Sequence, residues 1–285
     1  MTRRTALVTA EWAEEHLGSD EVVLVETGNE DAAYREGHPP GTVWINWSAF
    51  QDELRLGVVG RTEFEALMRR TGIREQDTVV LFSADANLLA ALAYWYFTLY
   101  GHRSVKLLDG GRRRWELDGR PMTTRVPRRP VSAYRAREQD ASVRALRDDV
   151  IAAIGVRNIL DVRAPQEYAG TVFAPGFAGA AFAPGNNPHE VAQRSGHVPG
   201  AVNLPWEGVV RDDGTFRSEE ELLARYTGLD PARGTLTYCW VGARSAHTWF
   251  VLRELLGWPD VRNYDGSWAE YGSLIGVPVA RGTDG

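Results

Sequence analysis

The chain is poor in cysteine: its 285 residues include one, Cys239. A single thiol closes no internal disulfide and builds no thiolate-rich zinc cage, which excludes a stapled secreted scaffold and a zinc finger. Long apolar runs are also missing, and none approaches the roughly 20 residues that crossing a bilayer requires. Positive charge is not in excess. Thirty-two Lys and Arg against 38 Asp and Glu give a net charge of -6, which argues against binding nucleic acid through the overall surface field. Arg3-Arg4 resembles the opening of a twin-arginine signal, but Glu11, Glu14 and Glu15 fall where its apolar region belongs. The expectation is a cytoplasmic protein with neither a membrane nor a nucleic-acid partner.

What is present is ordinary globular material, 44% hydrophobic and 25% charged. The length corresponds to about two domains at roughly 150 residues each. Comparing the chain with itself explains the two. Val79–Ser83 followed by Leu89–Phe97 reads as a buried strand, a loop and a helix ending at Gly101. Thr235–Cys239 followed by Ser245–Leu252 reads the same way and ends at Gly257. The step from Gly101 to Gly257 equals the step from Asp109-Gly110 to Asp265-Gly266, and a short strand precedes each Asp-Gly pair. Upstream, Val22–Glu26 matches Asn158–Val162, and Gly37–Val43 matches Gly196–Val202. Self-similarity at a constant step is the mark of duplication.

Short apolar strands alternating with helical patterns predict an α/β fold, here two tandem domains, each a parallel-rich sheet flanked by helices. An insertion near Thr171 to Arg194, rich in Ala, Gly and Pro, reads as a surface loop of the second copy. Between Arg112 and Arg137 lie nine arginines, interleaved with Pro121, Pro127 and Pro130. This stretch reads as a proline-stiffened, solvated linker, the alternative being an anion-binding or nucleic-acid arm. The expected boundaries are 1–124 for the first domain, 125–140 for the linker and 141–285 for the second domain.

Equivalent positions share the duties of the fold, so differences at a loop tip point to chemistry. Cys239 occupies the strand-to-helix turn of the second copy, and Ser83 occupies it in the first. The second loop continues Trp240, Val241, Gly242, Ala243, Arg244; the first has Asp85 and no cation. A turn entering a helix presents unpaired N–H groups and the positive end of the helix dipole. A thiol there is held more readily as the reactive thiolate. The same amides suit an anionic substrate, Gly242 lets the backbone curl around it, and Arg244 offers a planar charged fork. The alternative is a buried, inert cysteine at a strand end. Neither His197 nor His247 lies at metal-ligand spacing with a carboxylate or thiolate, and no metal is expected.

The segment from Tyr238 to Leu252 resembles the active loop and following helix of rhodaneses, the thiosulfate sulfurtransferases. Asn263–Gly272 resembles the segment after it in actinobacterial tandem-domain members. Tyr94–Phe97, Leu107–Gly111, Asp161-Val162-Arg163 and Gly196–Ala201 fit as well, so the resemblance covers essentially the whole chain. It implies a two-domain enzyme whose first domain is catalytically silent. The second would take the outer sulfur of thiosulfate or a related donor as a persulfide on Cys239 and pass it to a thiophile such as cyanide, with no cofactor. Trp240, Val241, Gly242, Ala243 and Arg244 would bind the donor, the amides stabilising persulfide and sulfite and Arg244 holding the sulfonate. Asp161 with Arg163 would form a structural ion pair, His247 would pack, and His197 would be architectural.

The chain departs from familiar thiosulfate users, which often carry Arg after the cysteine and sometimes Lys next; here stand Trp240 and Val241. These should lower the local positive charge and narrow the mouth. Glu167 stands where some members have an arginine that grips the donor. Losing a cation beside a dianion costs about 1–3 kcal/mol of binding. A 3-mercaptopyruvate sulfurtransferase and a dedicated sulfur-delivery protein, possessing a protein acceptor, are therefore alternatives. A phosphatase loop needs five residues between Cys and Arg, whereas four separate Cys239 from Arg244, and Tyr238 replaces the usual histidine. A non-catalytic binding module is the remaining rival. A monomer is expected.

Overall fold

The apolar runs become strands buried on both faces, as a parallel sheet covered by helices requires. The computed structural model describes residues 6–52, 57–172 and 192–282. The chain divides into two units, Met1–Asp140 with Val210–Ser218, and Ala141–Val209 with Glu219–Gly285.

In the first unit the strands are β1 (Leu7–Val8), β2 (Val22–Gly28), β3 (Val43–Asn46), β4 (Gln51–Asp52), β5 (Gly57–Val58), β6 (Thr78–Phe82) and β7 (Val105–Leu108). β4 and β5 form a small antiparallel pair, and the others form a parallel sheet in the order β1-β7-β6-β2-β3. The helices are α1 (Ala10–Glu15), α2 (Ala32–Glu36), α3 (Arg61–Arg70), α4 (Leu88–Leu99) and α5 (Gly111–Leu117). α4 is apolar nearly all round and buried throughout except at Thr98, which suits a helix enclosed by its unit.

The second unit carries β8 (Arg144–Ala145), β9 (Asn158–Asp161), β10 (Val202–Asn203), β11 (Thr235–Tyr238) and β12 (Val261–Tyr264). Their parallel order is β10-β9-β11-β12-β8, which read from the other edge is the order of the first sheet. Its helices are α6 (Arg147–Ala153), α7 (Pro165–Ala169), α8 (Glu219–Arg225), α9 (Ala243–Phe250) and α10 (Ser267–Tyr271). The two-domain α/β architecture inferred from spacing is thus matched strand by strand.

Side chains repeat as well. Glu26 lies opposite Phe82 in the first sheet, and Asp161 lies opposite Tyr238 in the second, so each central strand ends beside a buried carboxylate. Tyr34 stacks on His38 at 3.8 Å and Tyr168 on His197 at 3.7 Å. Each histidine Nδ1 lies 2.8 Å from the carbonyl of its own tyrosine. Each tyrosine hydroxyl donates across the Gly-His turn, to Thr42 O and Ala201 O, at 2.8 Å. His197 is therefore architectural, and burial holds its pKa below the ordinary value.

Two features differ from the sequence reading. The proline- and arginine-rich segment is no free spacer. Ser132 N–H donates to Arg69 O, Arg69 Nε to Tyr134 O, and Asp140 N–H to Leu99 O, while the buried Tyr134 ring stacks parallel to His102. Beyond α5 the segment forms no strand or helix of its own, and its backbone bonds instead to groups of the first unit, including a bridge between Thr123 and His38. Residues Val210–Ser218, within the second copy by sequence, pack with the first unit, where Phe216 N–H donates to Asp109 Oδ1 at 2.9 Å. Most of the insertion read near Thr171 to Arg194 lies outside the described residues.

Candidate active site

β11 is the middle strand of the second sheet, and the chain turns immediately after Tyr238 to place Cys239 at its carboxyl end. Open parallel sheets bind ligands at that end. Gly242 ends the turn as the N-cap of α9, with φ +89°. A Cβ there would stand 2.9 Å from both the Asp265 Cα and its carbonyl oxygen, so this crossing takes glycine alone. Beyond Phe250 the helix widens into a π segment, Val251–Leu255.

The sulfur of Cys239 is buried, the residue being 1% exposed. The Ser245 hydroxyl lies 3.6 Å from Sγ and the Ser267 hydroxyl 4.0 Å. Ser245 Oγ is also 3.0 Å from Gly242 O, so its one proton has two acceptors. The Cys239 N–H donates to Ser267 Oγ at 3.0 Å, and that hydroxyl donates to Tyr264 O at 2.8 Å. Trp268 and Ala269 N–H groups donate to Cys239 O and Trp240 O. α10 thereby clamps the loop from one side. The amides of Trp240, Val241, Gly242 and Ala243 donate to no acceptor among the described residues. Lying at the start of α9, they are donors of the kind that suits an anion.

Two ion pairs lie in the interior nearby. Arg163 grips Asp161 through Nε (2.9 Å) and Nη2, donates to Gly196 O at 2.7 Å, and stacks over Trp268. Tyr238 donates its hydroxyl to Asp161 at 2.6 Å, and burial with that carboxylate raises the phenol pKa well above its usual range. These groups are a structural network. The second pair is Arg244 with Glu167, Nη1 to Oε2 at 2.7 Å and Nη2 to Oε1 at 2.9 Å, both residues buried. Burial works against the Arg244 charge. The Glu167 hydrogen bonds and the charge of Cys239 outweigh it and raise the guanidinium pKa.

Cys239 through Ala243 therefore lie together as read, but two side chains point elsewhere. Both terminal nitrogens of Arg244 are taken by Glu167, not held open for a sulfonate. Trp240, expected to narrow the mouth, joins the core with Tyr168, Val198, Tyr238 and Trp268, and Val241 packs against it. Burial of a large indole outweighs any gain from exposing it at the opening. His247 is buried edge-on against Trp206 at 5.2 Å.

Sequence reasoning passed over Ser267. The signal was available, because Ser267 is the counterpart of Gly111 at the repeat step, and both have positive φ, +51° and +55°. A serine kept where the other copy has glycine carries a backbone cost. The first copy fills its own loop: Ser83 N–H donates to Asn87 Oδ1, Ser83 Oγ to Asp85, and Leu89 N–H to the same carboxylate. Among the described residues no group of three or more His, Cys, Asp or Glu side chains could hold a metal. No helix among them is long and apolar enough to cross a membrane.

The profile of the rhodanese-like domain matches residues 9–118 and 143–274. A protein of Saccharopolyspora erythraea named "Putative thiosulfate sulfurtransferase" is 51% identical over 98% of this chain and 97% of its own length. The sulfur carrier protein TtuD of Thermus thermophilus is 42% identical over 98% of this chain and 97% of its own. Among solved structures, the 3-mercaptopyruvate sulfotransferase SseA of Escherichia coli superposes with a TM-score of 0.77 at 23% identity. It covers 93% of this chain and 99% of its own, a likeness of fold.

Proposed function

Because the chain belongs to the rhodanese-like domain family, whose members transfer sulfur through a cysteine persulfide without a cofactor, we propose that Cys239 is the sulfur-carrying nucleophile of this sulfurtransferase. The Cys239 thiolate attacks the outer sulfur of thiosulfate or a related donor. A new S–S bond forms on Sγ, the S–S bond of thiosulfate breaks, and sulfite leaves with the electron pair. Cyanide or another thiophile then attacks the outer sulfur, takes it, and returns the thiolate. The amides of residues 240–244 hold the negative charge of the persulfide and of departing sulfite. Arg244, committed to Glu167, contributes field from behind the loop.

The observation that carries this reading is a lone thiol at the mouth of a helix, followed by the amides of Trp240 to Ala243, which have no acceptor among the described residues, and flanked by two hydroxyls within 4.0 Å. The first unit, with Ser83 in place of the thiol, is silent. The name of the Thermus relative, a sulfur carrier protein, supports a role in carrying sulfur onward to an acceptor, which we take to include a protein. An unpaired thiol suits the reducing cytoplasm, and with two homologous units in one chain we take the protein as a monomer.

The test is intact mass after thiosulfate and then cyanide, with thiocyanate followed in parallel. The expected result is a gain of one sulfur per chain that cyanide removes and Cys239→Ser abolishes. No uptake from thiosulfate, mercaptopyruvate or a desulfurase persulfide would end the reading. The Arg244–Glu167 pair favours a second donor, 3-mercaptopyruvate, which carries less charge than thiosulfate; faster loading from it would identify that donor.

A further inference from the structure

A groove of about 680 Å³ lies in the first unit, lined by none of the candidate active-site residues. One wall is β3, the edge strand of the sheet, which presents Trp44; the other is the strap Val126–Arg129, with Arg70 at the end of α3. The outer side of β3 pairs with no strand among the described residues. Val126 is 61% exposed, and Pro127 beside it gives the floor an apolar step.

The charges around this groove are uneven. Its one lining acid, Asp31, is held by Arg35 at 2.7 Å, and Arg129 is held by Asp77 at 3.1 Å. Other arginines of the same stretch are also matched: Arg112 with Glu26, Arg114 with Asp118 and Asp213, and Arg120 with Glu11 and Glu14. Arg70 and Arg128 are exposed and meet no carboxylate among the described residues. On a chain of net charge -6, two uncommitted guanidinium groups beside an apolar step form a local field opposite to that of the whole molecule.

We propose that this groove binds an extended acidic segment of a partner protein. Its carboxylates meet Arg70 and Arg128, its apolar side chains rest on Val126 and Pro127, and its backbone runs along the open edge of β3. Arginine forks match carboxylates in two-point fashion, and an unpaired sheet edge is a standing template for an extended peptide. The open side of β3 favours a peptide over a compact anion.

The test is fluorescence anisotropy of a labelled peptide of alternating Glu and Leu, titrated with the full chain. Saturable binding that weakens with salt and falls at least about tenfold in Arg70→Glu/Arg128→Glu is expected, because the reversed charges now repel. Val126→Asp, which leaves both arginines in place, should weaken it too, and thiocyanate production should be unchanged in all three proteins. Absence of saturable binding, equal binding by wild type and variants, equal binding of a Lys-Leu peptide, or full displacement by inorganic phosphate or an oligothymidylate at matched charge would each overturn the proposal.

Discussion

Arg244 and Glu167 meet fork to fork in the interior of the second unit, 77 positions apart in the chain, with both terminal nitrogens of the guanidinium bound. The pair sets how much positive charge reaches Cys239. Replacing Glu167→Gln keeps the shape and removes the neutralising charge. The KM for thiosulfate should fall about tenfold, with a smaller change for mercaptopyruvate. Breaking a buried pair should also cost about 3 kcal/mol of stability by urea unfolding. An unchanged or higher KM for thiosulfate would show that Arg244 exerts no pull on the donor.

Ser267 keeps a left-handed backbone at φ +51° while bonding the Cys239 amide. Glycine at this position would relieve the backbone and lose the hydroxyl; alanine would keep the strain and lose it too. Ser267→Gly should therefore be more stable than Ser267→Ala by about 1 kcal/mol. Both should form persulfide roughly tenfold more slowly than wild type, since the loop amide has lost its anchor. Stopped-flow loading beside thermal unfolding separates the two effects.

Gly242 and Gly200 both have positive φ, +89° and +74°, but only Gly242 has backbone within reach of an added Cβ. Gly200→Ala should cost about 1 kcal/mol and leave sulfur transfer intact. Gly242→Ala carries the same strain plus a collision with Asp265, which moves the loop. Its transfer rate should drop by about a hundredfold or more, because misplacing a reacting group by an ångström is enough to do so. Equal losses in the two variants would mean that φ alone matters.

The first unit should not become active when given a thiol. In Ser83→Cys the new sulfur would face Asp85, which already receives the Ser83 hydroxyl and the Leu89 amide. A carboxylate in the cradle opposes a thiolate and repels an anionic donor. Intact mass after thiosulfate should still show one added sulfur, and a second would overturn this account of the silent copy.

Much of this was legible beforehand, because duplication writes the same pattern twice. The two parallel α/β units, the strands ending in Glu26 and Asp161, and the place of Cys239 all follow from aligning the halves; the order of the strands does not, because similarity between copies carries no information on which strands pair. The direction of Trp240 did not follow, since a loop has no period to say which way a side chain turns. Nor did the Arg244–Glu167 pair, which exists only once α7 and the start of α9 are brought together. Ser267 was visible as a difference from Gly111, but its meaning lies in a dihedral angle that letters do not carry.

The buried, solitary thiol has a further consequence. Many sulfur-handling proteins have a second cysteine able to attack their own persulfide, close a disulfide and expel sulfide. This chain has no such neighbour. A sulfur loaded on Cys239 would be a sealed store, its rate of leakage set by which outside nucleophile can reach an atom beneath the loop. Discharge is thus a meeting of two molecules every time, and the choice of acceptor rests with the shape of the approach.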